Sequence, residues 1–205
     1  MKAMGREYDS IFFNTTNILP VTYLDEAESK RVLSQQGDGW LEFDPAALDE
    51  AYHATRGQPY LLQKIGQTIQ YHFDDIVNEG GSRDHYVSLR DMELALDKVV
   101  QLNENASFDG HWNDSDATFH RILSALARRT SESKRPLTTP EVEAYLQTAG
   151  MALPRDIIHQ RLEALLDQEI LVGNGAAYDF AVPLYRRWIA WRWPPEKVRE
   201  EALES

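Results

Sequence analysis

Apolar residues recur at three- and four-residue spacing along most of the chain, and alternating runs are short, so the pattern predicts a mainly α protein. A helix opens at Asp25, whose carboxylate can cap it while Glu28 reaches back, and it ends near Gln35, ahead of Gly37-Asp38-Gly39. The next starts at Asp44-Pro45, with cap and first-turn proline in the favoured order, and carries Leu48, Ala51, Tyr52 and Thr55 on one face. Arg56-Gly57-Gln58-Pro59 breaks that helix and starts another, predicted over 59–78, with Leu62, Ile65, Ile69, Phe73 and Ile76 along one side and Leu61 widening it. Gly80-Gly81 ends it. Ser88 and Asp91 have capping-box spacing and open a helix through Leu94, Leu96, Val99 and Leu102. The stretch from Asn103 to Asp116 is rich in Asn, Asp, Ser and Gly and is predicted as a linker.

Beyond it the elements come in a different order. One helix carries Phe119, Ile122, Leu123, Leu126 and Ala127; a short second starts at Thr139-Pro140-Glu141; a third begins at Pro154 and carries Ile157, Ile158, Leu162, Leu165 and Leu166. Two apolar runs, Ile170-Leu171-Val172 and Ala177-Tyr178-Asp179-Phe180, then flank Gly173-Asn174-Gly175-Ala176. Asn-Gly between such runs is a strong hairpin signal. Three helices followed by a hairpin predict a winged helix-turn-helix, with a last helix from Pro183 to Trp193. The expected organisation is a connector over 1–24, a helical unit over 25–106, a linker over 107–115, the winged helix over 116–193 and a polar tail over 194–205.

Composition narrows the chemistry. The 205 residues include no cysteine, which excludes a disulfide scaffold and a thiolate zinc site. No apolar run approaches the roughly 20 residues that cross a bilayer, and the first five residues lack a signal-peptide character, so a cytoplasmic protein with no membrane contact is expected. Net charge is −12, concentrated in residues 1–110, which hold 9 basic and 19 acidic side chains against 12 and 14 in the remainder. Polyanion binding leans on phosphate neutralisation, so the first part is a poor nucleic-acid binder. The outward positions expected on the third helix of the winged unit are Arg155, Asp156, His159, Gln160, Glu163 and Asp167, one base against three acids. The wing tip has no Lys or Arg. Both observations argue against DNA as the partner.

Three stretches (Leu24 to Glu28, Phe43 to Leu48, Thr55 to Gln63) resemble the end of a STAND-type AAA+ ATPase module. The second-half helices, with Tyr178-Asp179-Phe180-Ala181-Val182-Pro183-Leu184-Tyr185-Arg186-Arg187-Trp188, are similar to the winged helix that follows it. The likeness covers about residues 18–193, and its sharpest motif is Gly57-Gln58-Pro59, similar to the family's Gly-x-Pro signature at the start of a lid helix. The resemblance implies a helical lid bundle and a winged helix with a small β-hairpin wing, closing over ATP or ADP held by an upstream P-loop core. Gly57, Gln58 and Pro59, with the neighbouring Arg56, are then the nucleotide-contacting candidates. Glycine lets backbone approach a flat base, and proline fixes the first helical turn with no donor left unpaired.

The departures from that family limit the expectation. No Gly-x-x-x-x-Gly-Lys-Ser/Thr occurs, so no phosphate cradle is present in this chain. Ala181-Val182-Pro183 lacks the histidine that some members carry after the wing, and Tyr60-Leu61-Leu62 lacks the arginine of other lids. The expected role is therefore a non-catalytic regulatory module of a nucleotide-controlled switch, binding no cofactor alone and partnered by an ATPase core in the parent protein. The alternatives are a stand-alone winged-helix DNA-binding or transcription factor and a protein-interaction adaptor. For the adaptor, Arg186, Arg187, Trp188, Trp191 and Trp193 on the last helix form the candidate surface. Six scattered histidines include no i, i+4 pair, and Asp74-Asp75 and Asp49-Glu50 lie on polar faces, so neither metal nor acid–base chemistry is expected.

Overall fold

Caps written into the sequence set the helix starts. The computed structural model describes residues 23–35, 40–101 and 106–204; the expectations for residues 1–22 and for Leu102 lie outside it. In α1 (Glu26–Ser34) the Asp25 carboxylate accepts from the Glu28 N–H at 2.8 Å while Glu28 accepts from the Asp25 N–H at 3.1 Å. Asp44 caps α2 (Pro45–Thr55), and Pro59 occupies the first turn of α3 (Pro59–Asn78). The Ser88–Asp91 box opens α4 (Leu89–Gln101), and Asp91 is further held by Arg83, itself stacked over Phe73. These four helices pack on one another around Leu33, Ala51, Leu62, Ile65, Ile69, Leu96 and Val99. Within α4, Met92 and Ala95 join Leu96 and Val99 inside, whereas Leu94, expected on that face, points to solvent. A two-residue parallel pair, β1 (Glu42–Phe43) with β2 (Tyr86–Val87), ties the starts of α2 and α4 together.

Residues 107–115, expected as a linker, are largely helical: α5 spans Ala106–Asn113. Its polar side chains are those of a loop, but Phe108 and Trp112, four residues apart, are both buried. Trp112 stacks on the ring of His120 (4.1 Å between centroids, 2° between planes) and on Trp193 (4.9 Å, 9°), and Lys197 Nζ lies 3.9 Å from the Trp193 ring centre.

The remaining elements are α6 (Ala117–Ser133), β3 (Leu137–Thr138), α7 (Thr139–Thr148), α8 (Arg155–Asp167), β4 (Leu171–Gly173), β5 (Ala177–Phe180), α9 (Pro183–Arg192) and α10 (Pro195–Glu204). The strands form a three-stranded antiparallel sheet in the order β3-β5-β4, with Leu137 opposite Tyr178 and Leu171 opposite Phe180. The β3 strand is too short for a periodic signal and was not expected. The segment 194–205, expected as a polar tail, holds α10, which packs on α6 and buries Val198. Among the described residues the molecule is therefore mainly helical, ten helices with a small antiparallel sheet. The apolar core runs through both halves because α9 packs on α6 from one side and on α4 and α2 from the other.

Candidate functional site

The turn singled out from the sequence is tightly built. Arg56 closes α2 in the left-handed conformation (φ 52°) and Gly57 follows at φ 78°. The Leu24 N–H donates to the Gly57 carbonyl at 2.8 Å, and a Cβ on Gly57 would sit 1.9 Å from the Leu24 carbonyl oxygen. The backbone that approaches this glycine is thus the chain's own entry into α1, not a ligand's ring, and Gly57 is buried. The buried Thr55 hydroxyl donates to the Ala51 carbonyl and accepts from the Gly57 N–H, bracing the turn from beneath.

Arg56 and Gln58 face a cleft whose opposite wall belongs to the second half. Arg56 shares a space of about 660 Å³ with Tyr23, Leu166, Glu169, Leu171, Val172, Gly173 and Ala181. Gln58 lines a smaller recess of about 90 Å³ with Phe108, His111, Ile170, Val182 and Tyr185. Tyr23, Glu169 and Ala181 border both, so the two adjoin. Tyr185 is 4% exposed, its hydroxyl has no hydrogen-bond partner among the described residues, and burial, helped by the charge of Asp109, pushes its pKa up. The Tyr23 hydroxyl is also pushed up, by partial burial and then by the negative charge of Glu169 across the cleft. Both phenols therefore stay neutral at physiological pH, as hydrogen-bond donors. Sequence reasoning missed Tyr23, Glu169 and Tyr185 as cleft residues. No local pattern marks them, because they meet only through packing between the halves.

The candidate surface on the last helix is largely used internally. Trp188 is 2% exposed, among Phe108, Trp112 and Tyr185. Trp193 is half-buried in the stack on Trp112, and the Ser124 hydroxyl donates to its carbonyl at 2.6 Å. Arg186 pairs with Asp179 (3.4 Å), and Arg187 reaches across to Glu50 on α2 (2.8 Å). Trp191 alone of the three tryptophans stands in solvent, 45% exposed. The structure thus removes Trp188 from a docking face, since its ring is enclosed among Phe108, Trp112 and Tyr185, while Trp193 keeps one part of its ring against Trp112 and Lys197.

On α8 the expected outward residues Arg155, Asp156, His159, Gln160 and Asp167 are exposed. Glu163 is half-buried and accepts from the Tyr178 hydroxyl at 2.9 Å. Of the basic residues before α7, Arg128 and Arg129 are tied to Glu132, and Arg135 to Glu141. Arg135 first, then the Thr138 N–H and hydroxyl, hold the Glu141 carboxyl down at a pKa of about 2. Among the described residues no three metal-ligating side chains converge, and no helix is long and apolar enough to cross a membrane. No protein-family model matches the chain, and no curated protein matches it in sequence.

Proposed function

We propose that this chain is a regulatory module: the lid and winged helix of a nucleotide-controlled switch, catalysing nothing by itself. The observation that carries the reading is the cleft that sets the Arg56-Gly57-Gln58-Pro59 turn opposite the β4–β5 unit and the start of α9. Its support in topology is the order helix, strand, helix, helix, strand, strand over α6 to β5, with β5 central, which is the arrangement of a winged helix-turn-helix. In this reading ATP or ADP is held by a P-loop core of the parent protein. Arg56 and Gln58 supply lid contacts from one wall of the cleft, and the winged unit presses from the other. Glycine at 57 serves the module's internal geometry, keeping the lid turn seated on Leu24.

Reading the DNA upstream of the Met1 codon tests this. An in-frame P-loop followed by an acidic strand is expected; a stop codon and a promoter there would overturn it and bring the DNA-binding and adaptor readings forward. At the bench, ATP turnover by the chain alone is expected to stay at buffer background, and turnover abolished by any substitution in the chain would refute the reading.

A further inference from the structure

Among the described residues the sheet leaves one edge open onto the cleft. Ala181 N–H donates to the Ile170 carbonyl at 3.0 Å, and Val172 lies opposite Asp179. The alternation of an antiparallel ladder then turns the N–H and C=O groups of Leu171 and Gly173 away from β5. No described residue is paired with them, because β4 is the outer strand of β3-β5-β4. Proteins commonly guard such an edge with lysine, proline, a bulge or a covering segment. Leu171-Val172-Gly173 has no charge and no proline.

The surroundings of this edge suit an extended chain. Val172 (52% exposed) and Tyr23 (53% exposed) face the same cleft, with Leu166, Leu171 and Ala181 as its apolar wall. Arg56 and Glu169, of opposite sign, stand on its rim, and no described acid is paired with Arg56. We propose that β4 and this cleft bind an extended polypeptide of a partner protein as a fourth strand. Its main chain bonds to Leu171 and Gly173, alternate apolar side chains enter the cleft, and an acidic and a basic side chain meet Arg56 and Glu169. Main-chain pairing provides affinity, and the wall and rim provide selection. This goes beyond the nucleotide reading and does not need it to hold; since both place a ligand group at Arg56, a peptide on β4 and a nucleotide under the lid would compete for the cleft.

The test uses the full chain and a fluorescein-labelled heptapeptide of alternating valine and threonine, with aspartate at one end and lysine at the other. Saturable anisotropy is expected, half-complete at about 10–100 μM, with slowed hydrogen exchange at the Leu171 and Gly173 amides. Methylating the peptide's main-chain nitrogens on its pairing edge should weaken binding about tenfold, since that removes the strand-forming donors and sets methyl groups against β4, whereas methylation on the opposite edge should leave binding nearly unchanged. Val172→Lys, at an exposed position that leaves folding intact, should weaken it by a similar factor, and Arg56→Glu by about threefold. Equal affinity for the peptide methylated on its pairing edge would overturn the proposal. So would an absence of saturation, or protection of the same two amides by a random DNA duplex instead of the peptide.

Discussion

Helices α8 and α9 lie either side of the β4–β5 hairpin and have opposite fates. The first keeps Arg155, Asp156, His159, Gln160 and Asp167 in water. The second buries Leu184, Tyr185, Trp188 and Ile189 and spends two of its three arginines, Arg186 and Arg187, on acids of the same chain. From sequence alone the aromatic residues of α9 are expected first to pack on the neighbouring helices, with a docking surface as the second reading. In the fold α9 is the element that joins α2 and α4 to α6. Residue type suggests what a helix is able to bind, but position decides whether it is available. The helix left available carries more acid than base on its exposed positions, a charge that repels phosphate.

The largest effect that tests this contrast is Trp188→Ala, expected to cost about 3–5 kcal/mol in chemical denaturation because the ring is enclosed on all sides. An unchanged midpoint would return α9 to the surface. Gly57→Ala should cost about 2–4 kcal/mol, combining a left-handed φ with a collision against the Leu24 carbonyl. A neutral result would mean that the turn is free to move off α1. Removing Glu50 and Arg187 singly and together should reveal a coupling of about 0.5–1 kcal/mol, limited by solvent screening of a half-exposed pair. Zero coupling would leave the union of the halves to apolar packing alone.

Smaller still is the acid dependence of the α7 start. Because the folded pKa of Glu141 lies at about 2, below its unfolded value of 4.5, its contribution is complete above pH 4.5 and disappears as pH falls towards 2. With the side chain partly exposed, the difference between the native chain and Glu141→Gln should be about 0.5 kcal/mol at pH 6 and vanish near pH 2. A difference that persists at pH 2 would assign the effect to packing. For α8 itself, random duplex DNA at physiological salt should bind no tighter than about 100 μM; a low-micromolar shift would show that the acidic face is not the one that meets DNA.

Much of the fold was legible because its signals are local. Asp25 with Glu28, Asp44 with Pro45, and Ser88 with Asp91 each name a helix start within four residues, and the 59–78 helix matches its expected bounds and buries its apolar stripe from Leu61 to Phe73, with Ile76 left half-exposed. The hairpin follows from Asn174-Gly175, where Gly175 takes φ 76° and the Asn174 side chain accepts from the Ala176 N–H. Helix α5 was hidden because its outward residues are those of a loop, and only Phe108 and Trp112 speak for burial. The two-residue strands β1, β2 and β3 are too short to show alternation. Of the cleft, Arg56 to Pro59 could be named from their turn chemistry, whereas Glu169, Tyr185 and Tyr23 acquire their roles only across the boundary between halves.

The stack of His120, Trp112, Trp193 and Lys197 has an optical consequence. Two indoles 4.9 Å apart and 9° from parallel couple their electronic transitions, so the native molecule should carry an exciton feature in its circular dichroism that neither ring produces alone. Its intensity reads out the docking of α5 and α10 together, because one indole belongs to α5 and the other sits at the entry to α10 under Lys197. Binding at the cleft that shifts Phe108 or His111 would alter that signal, giving the protein an intrinsic spectroscopic gauge in place of an attached dye.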